Sequence, residues 1–341
     1  MKFTVRRTLA LLLSMAIVGA CAWVGTTVSP EIGAPPEFDA AASSPKLWSF
    51  AFIGDTHEGR GITDRIFAKM RDADLEFVVH LGDIVDRGDS DEQWEYVLST
   101  AAQNRLRLMP VVGNHDKEKC YDDRGEIRWR QYFPHLPRTF YHFRHRGLNF
   151  VVLNSESFPL PGSEQAKFLA WQLAHHPGPT IVCQHRPVFT CSGRDWANMY
   201  LFRLWTHGAL KGSDATLVLT GHNHYYERSK PLDGITYVVS GGGAPNLYKA
   251  ETPKDHTALF DAGRNHYGLV DVYADHLAIR VLDLDDRVID TFSVALSKTP
   301  HSAGTAENLP ATELPPIRSL PAYSEDQLGL RPGAPVVLPR P

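Results

Sequence analysis

The chain has 341 residues, of which 43% are hydrophobic, 10% aromatic and 22% charged. That composition excludes a disordered, collagenous or multi-pass membrane protein. A formal charge of −4, from 35 Lys and Arg against 39 Asp and Glu, leaves no basic surplus for nucleic acid. Four cysteines are too few for a disulfide scaffold, whereas 16 histidines are many, so their placement carries more than their number.

The amino terminus reads as an address. Lys2, Arg6 and Arg7 precede an apolar run from Leu9 to Ala20 that ends at Cys21, the pattern of an export signal. Val18-Gly19-Ala20-Cys21 resembles the lipobox of bacterial lipoproteins, in which the cysteine is acylated and held in the lipid bilayer. Ala22-Trp23-Val24-Gly25 prolong the apolar stretch to nearly membrane-spanning length, so an uncleaved anchor and plain cleavage after Ala20 are the alternatives. All three readings place the following domain outside the cytoplasm, in the cell envelope or beyond it. Residues 1–21 are thus the signal and 22–46, rich in Pro, Ala and Ser, a tether. From Pro300 to Pro341 prolines recur at a density that no helix or central strand accommodates, so 297–341 reads as an extended or disordered tail. Residues 47–296 remain as one folded domain.

Within that domain, Trp48–Ile53, Phe77–Leu81, Leu106–Val112, Leu148–Leu153, Thr180–Gln184 and Thr216–Leu219 are short apolar or β-branched runs that predict buried strands. Helical patterns separate them at Thr63–Arg71, Asp91–Ala101, Ser163–Ala174 and Trp196–Leu210. Beyond Gly221 the strands Gly234–Ser240, Tyr267–Tyr273, His276–Leu284 and Arg287–Val294 follow one another without helices. An α/β first half and a β-rich second half fit two packed sheets with helices outside. His142 and His145 fall in a strand-like run and are expected at the surface. The aromatic run of Trp196, Tyr200, Phe202 and Trp205 reads as a helix face packed on the core, or else as a wall touching substrate.

Five of the strands run directly into polar clusters: Asp55-Thr56-His57, Gly82-Asp83-Ile84-Val85-Asp86-Arg87, Gly113-Asn114-His115-Asp116, His185-Arg186 and Gly221-His222-Asn223-His224. In α/β sheets the carboxyl ends of the strands are where ligands bind, so the clusters converge on one crevice. Alone, each has a plainer explanation, a turn, a helix cap or two rings on one strand face. Five in order, each behind its own strand, give more Asp, His and Asn donors than one tetrahedral ion uses. A dinuclear site for Zn, Mn or Fe follows.

This series resembles the calcineurin-like metallophosphoesterases from about Trp48 to Arg228. The resemblance implies a four-layer βαβ sandwich: two mixed sheets with outer helices and a dinuclear metal site at the carboxyl ends of the strands. It implies that Asp55, His57, Asp83 and His224 hold the first metal, and Asp83, Asn114, His185 and His222 the second, with Asp83 bridging. His115 is then a proton donor to the leaving group, oriented by Asp86. The runs His224–Arg228 and Tyr237–Gly243 are similar to the purple acid phosphatase branch, although that branch has a tyrosine ligand where Asp86 stands and lacks the counterpart of His57. Asp86-Arg87-Gly88 is similar to the Ser/Thr protein phosphatases, in which the arginine grips phosphate; a surface salt bridge explains Arg87 equally well.

The implied chemistry is hydrolysis of a phosphoester substrate. Bridging between two cations lowers the pKa of water, and the hydroxide attacks phosphorus in line with the leaving oxygen while His115 protonates it. A phosphomonoesterase is favoured by the purple-acid-like second half, a phosphodiesterase is the runner-up, and a metal-bound, non-catalytic binding protein is the rival class. Cys120 and Cys191 follow the Gly113 and His185 clusters; they form a bridge, or all three remaining cysteines are packed thiols.

Overall fold

The computed structural model describes residues 45–57, 59–117, 123–136, 138–157, 160–193, 200–249 and 251–296. The export signal, nearly all of the tether, and the Pro-rich tail lie outside them, as do Cys120, Tyr121 and residues 194–199 that include Trp196. Among the described residues no helix is long and apolar enough to cross a membrane.

Alternating strands and helices open the domain: β1 (Trp48–Ile53), α1 (Arg60–Arg71), β2 (Val78–His80), α2 (Asp91–Gln103), β3 (Leu108–Pro110) and α3 (Asp123–Tyr132). Next come β4 (Tyr141–His145), β5 (Leu148–Val152), α4 (Glu164–His175), β6 (Thr180–Cys183) and β7 (Ala215–Thr220), with a π-helical turn at Arg203–His207 before β7. The chain finishes in strands only: β8 (Tyr226–Ser229), β9 (Thr236–Ser240), β10 (Thr257–Asp261), β11 (His266–Val272), β12 (His276–Asp283) and β13 (Val288–Ala295). Serines start two of the helices. The Ser90 and Ser163 side chains accept hydrogen bonds from the Gln93 and Ala166 backbone N–H groups, satisfying donors that the first turn leaves open.

The strands form two mixed sheets, ordered β13-β12-β11-β1-β2-β3 and β10-β8-β9-β7-β6-β5-β4. In the first, β1, β2 and β3 are parallel and β11 runs antiparallel to β1. In the second, β5, β6, β7 and β9 are parallel. Successive strand residues point to opposite faces, and the second sheet divides its side chains accordingly. Phe150, Val152, Ile181, Cys183, Leu217 and Leu219 enter the core shared with the first sheet. Val151, Val182 and Val218 pack instead with Phe168 and Leu169 of α4. Helices α1 and α2 bury Ile66, Phe67, Met70, Trp94 and Val97 in the first core. Between the sheets, Phe50 and Phe77 meet Phe143 and Phe150, with Phe150 centroids 5.4 Å from Phe50, 5.3 Å from Phe77 and 4.6 Å from Phe143.

The layered α/β architecture matches the expectation, with local corrections. Strands β2 and β3 are three residues each rather than the longer runs expected, because β2 pairs with β3 only from Val78 to His80 and Pro110 has no N–H to extend the ladder. Helix α3 and strands β8 and β10 were not anticipated. His142 is not at the surface: it is 3% exposed, its Nε2 is 3.4 Å from Asn149 Oδ1, and its ring stacks on His176. Tyr200 is 64% exposed while Phe202 is buried, so only part of the aromatic run faces the core.

Phe150→Ala removes the ring common to both sheets. It should cost ~3–5 kcal/mol, read as a lower midpoint in urea unfolding; a change below ~1 kcal/mol would show that the aromatic cluster does not join the sheets.

Candidate metal centre

Parallel pairing brings the carboxyl ends of β1, β2 and β3 to one edge of the first sheet, and those of β6 and β7 to one edge of the second. Asp55 and His57 follow β1, Asp83 and Asp86 follow β2, Asn114 and His115 follow β3, His185 follows β6, and His222 and His224 follow β7. The structure gathers these residues into overlapping groups. Asp55, His57 and His224 form one, Asp83, His185 and His222 another, and His57, Asp83 and His115 a third, with ligand atoms within 4.8 Å of one another in each. Asn114 joins the second through its Oδ1, 3.2 Å from His185 Nε2.

The donor chemistry fits cations. His185 Nδ1 donates to the Leu81 carbonyl at 2.8 Å, which puts the proton of a neutral ring there and leaves Nε2 a lone pair. That nitrogen lies 3.2 Å from Asp83 Oδ2, with the Asn114 oxygen and His222 Nδ1 at the same distance. His224 Nδ1 likewise donates to the Asn246 carbonyl at 2.7 Å, so its Nε2 presents a lone pair 3.3 Å from His57 Nε2 and 3.7 Å from Asp55 Oδ1. Lone pairs that converge in this way suit a cation between them. The backbone carbonyls that set the rings are the usual outer partners of metal-binding imidazoles.

Electrostatics show the same demand. Burial lifts the Asp55 carboxyl well above the usual range, and Asp83 adds to the effect. For Asp83 burial works upward too, but His185, His57 and His115 overcome it and hold the carboxyl far below that range. Burial pulls the His57 imidazole down to about 4. His185 is pulled down by burial but lifted to about 10 by Asp83, its hydrogen-bond partner, with Asp55 and Glu156 contributing.

The backbone is strained at this place. Asp55, His57, Asp83 and His222 have φ of 64°, 43°, 50° and 67°, a left-handed conformation uncommon outside glycine. Gly113 permits the close approach: a Cβ there would lie 2.2 Å from the Asp83 backbone nitrogen and from Asp83 Oδ1.

His115 sits at the rim. Its backbone N–H donates to Asp83 Oδ1 at 2.8 Å, its ring Nδ1 donates to the Asp86 carbonyl at 2.9 Å, and Asp86 Oδ1 is 3.4 Å away. Asp86 Oδ1 also lies 3.6 Å from His57 Nδ1. Arg87 is 64% exposed and pairs with Asp89 at 3.1 Å, a surface salt bridge of the kind that explains it as well as phosphate binding does. Cys183 and Cys191 are buried, and Cys191 lies against Tyr225; Cys120, the other half of the expected bridge, lies outside the described residues.

Three residues of the centre had no role in the sequence reading. Asp116 is fully buried and ties two ligand loops together, accepting from the Ile84 and Val85 N–H groups and, through its other oxygen, from Gly113. Glu156 and Arg186 form a partly buried pair, and Arg186 Nη1 reaches to 3.2 Å from His222 Nε2. The strand-end rule applied to Leu148–Leu153 would have found Glu156 in the Asn154-Ser155-Glu156 that follows.

A sequence model of the calcineurin-like phosphoesterases matches residues 49–226, just over half of the chain. The chain belongs to this family. The family is one of dimetal phosphoester hydrolases, whose members typically bind two metal ions. The uncharacterized protein Rv2577 of Mycobacterium tuberculosis is 24% identical over 258 residues, covering 59% of this chain and 47% of the relative. The chain thus spans about half the length of the curated relatives it matches. Its fold is similar to purple acid phosphatase PPD1 of yellow lupin (Lupinus luteus), with TM-score 0.64, 17% identity, and coverage of 74% of this chain and 54% of that one. It is also similar to a dimetal phosphatase from Danio rerio, with TM-score 0.53, 16% identity, and coverage of 74% and 100%.

Gly113→Ala should push Asp83 out of position and reduce bound metal to less than half the wild-type content, measured by elemental analysis, with far-UV circular dichroism unchanged. Full metal content would mean that the ligand loops yield where the close packing says they cannot.

Proposed function

We propose that the chain is a metal-dependent phosphoester hydrolase that prefers phosphomonoesters. Asp55, His57, Asp83 and His224 would hold one cation, and Asp83, Asn114, His185 and His222 the other. When bound, such a pair supplies activation of water and neutralisation of phosphoryl charge. The observation that carries the reading is His115, exposed at the rim of the ligand groups yet held at both its backbone and its ring. With Nδ1 on the Asp86 carbonyl, Nε2 is left to give a proton to the departing oxygen. Because the His115 N–H also holds Asp83, the proton donor keeps a fixed place relative to the central carboxylate. The monoester preference is supported by the likeness of His224–Arg228 and Tyr237–Gly243 to purple acid phosphatases; a phosphodiesterase on the same residues is the second reading.

Supplied with Mn²⁺, the protein should hydrolyse p-nitrophenyl phosphate faster than bis(p-nitrophenyl) phosphate, and EDTA should abolish both. No turnover of either, with two metals bound per chain, would favour a binding protein instead. His115→Ala should lower kcat by ~10²–10⁴-fold for an alkyl phosphate and far less for p-nitrophenyl phosphate; equal losses would remove the proton-donor role.

We also propose that the enzyme is exported to the bacterial cell envelope and held at the bilayer through acylated Cys21. Radiolabelled palmitate should enter the wild-type chain in bacteria and fail to enter Cys21→Ser; equal labelling would dismiss the lipid anchor.

A further inference from the structure

Strand β9 is the parallel neighbour of β7, with Val239 opposite Thr220. The chain beyond Ser240 therefore leaves the second sheet beside the turn that carries His222 and His224. This segment is tied at both ends. The Gly243 N–H donates to the Gly54 carbonyl at 2.9 Å, and Asn265 Nδ2 donates to the Gly242 and Ala244 carbonyls at 2.9 and 2.7 Å. At the far end, the Tyr248 N–H donates to the His224 carbonyl at 3.0 Å. Between these ties, the Asn246 carbonyl takes the His224 Nδ1 proton.

Tyr248 lies along the imidazole that its own segment holds. The two ring centroids are 4.6 Å apart, with planes 29° from parallel. The phenol ring also meets the buried Tyr225 at 6.1 Å and a steep angle of 70°, and its hydroxyl donates to the His222 carbonyl at 3.4 Å. A hydrogen bond at Nδ1 fixes one atom of an imidazole but lets the ring swing about it. An aromatic ring on the imidazole face removes that freedom. The carbonyl and the phenol together keep His224 Nε2 directed at His57 and Asp55, 3.3 and 3.7 Å away.

The histidines of the second group depend on other parts of the fold. The His185 side chain is fully enclosed, and the Leu81 carbonyl that sets it is buried at the end of β2. His222 is anchored through its own backbone N–H, which donates to both Asp55 oxygens at 3.0 and 2.9 Å. The His224 side chain is 15% exposed, and its carbonyl partner sits on the exposed Asn246. We propose that Tyr248 is a positioning residue that retains the first cation by holding His224, and that the second cation does not depend on it. This rests on the two-cation reading above and assigns an outer partner to one of the two sites.

The test uses the full-length protein, stripped of metal and titrated with Mn²⁺ by calorimetry. Tyr248→Ala should weaken one of the two binding steps ~10- to 100-fold, the usual loss when an outer partner is removed. The other step should change less than about threefold. His224→Ala should abolish the same step, which identifies it as the first site. Tyr248→Phe keeps the stacked ring and should stay within about threefold of wild type on both steps. Tyr248→Leu fills similar space without a ring face and carries the comparison if the alanine variant does not fold. Two unchanged steps, an equal loss on both, or a phenylalanine variant as weak as the alanine one would each overturn the proposal while the two-cation reading stood. A wild type that takes up no Mn²⁺ would overturn both.

Discussion

Asp83 is a carboxylate with 1% exposure at the end of a three-residue strand, and the centre is arranged around its charge. Burying an ionised carboxylate is strongly unfavourable unless hydrogen bonds and positive charge compensate it. One oxygen takes the His115 backbone N–H at 2.8 Å, and the other faces His185 at 3.2 Å and His57 at 3.7 Å. These partners arrive from the ends of β3, β6 and β1, that is, from both sheets. Satisfying one carboxylate thus requires the two sheets to be stacked with their parallel ends together. The aromatic contacts of Phe50, Phe77, Phe143 and Phe150 are part of what holds them there.

Precision at the strand ends comes from strain. Each residue held in a sparsely populated backbone region costs about 1–3 kcal/mol, and Asp55, His57, Asp83 and His222 are all of this kind. The cost is borne because neighbouring parts over-determine the geometry. Asp116 joins Ile84, Val85 and Gly113, and Gln93 Oε1 accepts from the Asp86 and Arg87 N–H groups, tying that loop to α2. Loops held at this many points present their ligands with little freedom. That is the condition under which groups on separate strands can act on one phosphoryl oxygen.

The buried strands and the ligand clusters were legible in the sequence because both are local: a short apolar run followed at once by Gly, Asp, Asn or His. What escaped depends on distant partners. Strand β4 buries His142 because Asn149 and His176, from β5 and the end of α4, meet it there. Strand β10, only partly buried, carries little apolar signal and exists by pairing with β8. Arg186 was visible as a letter beside His185, but its ion-pair partner Glu156 stands thirty positions earlier in the chain, and no spacing rule joins the two.

The acids of the fold divide by whether the chain itself satisfies them. Glu227 is 1% exposed, yet its oxygens accept from the Cys191 N–H and the Thr257 hydroxyl, with His256 beside it, and these partners outweigh burial and lower its pKa. Asp290 is matched by Tyr226 and Arg228. Asp55 is fully buried too, but among the described residues its carboxylate accepts a hydrogen bond from the His222 backbone N–H alone, and its carboxyl stays well above the usual range. A fold able to neutralise Glu227 with ordinary side chains has done otherwise at Asp55, where the nearest side chains are two imidazoles whose nitrogens approach within 4 Å. Imidazole nitrogens offer lone pairs, and with the Asp55 carboxylate they make a donor set of the kind that cations bind; a cation held there would add to the stability of the folded chain.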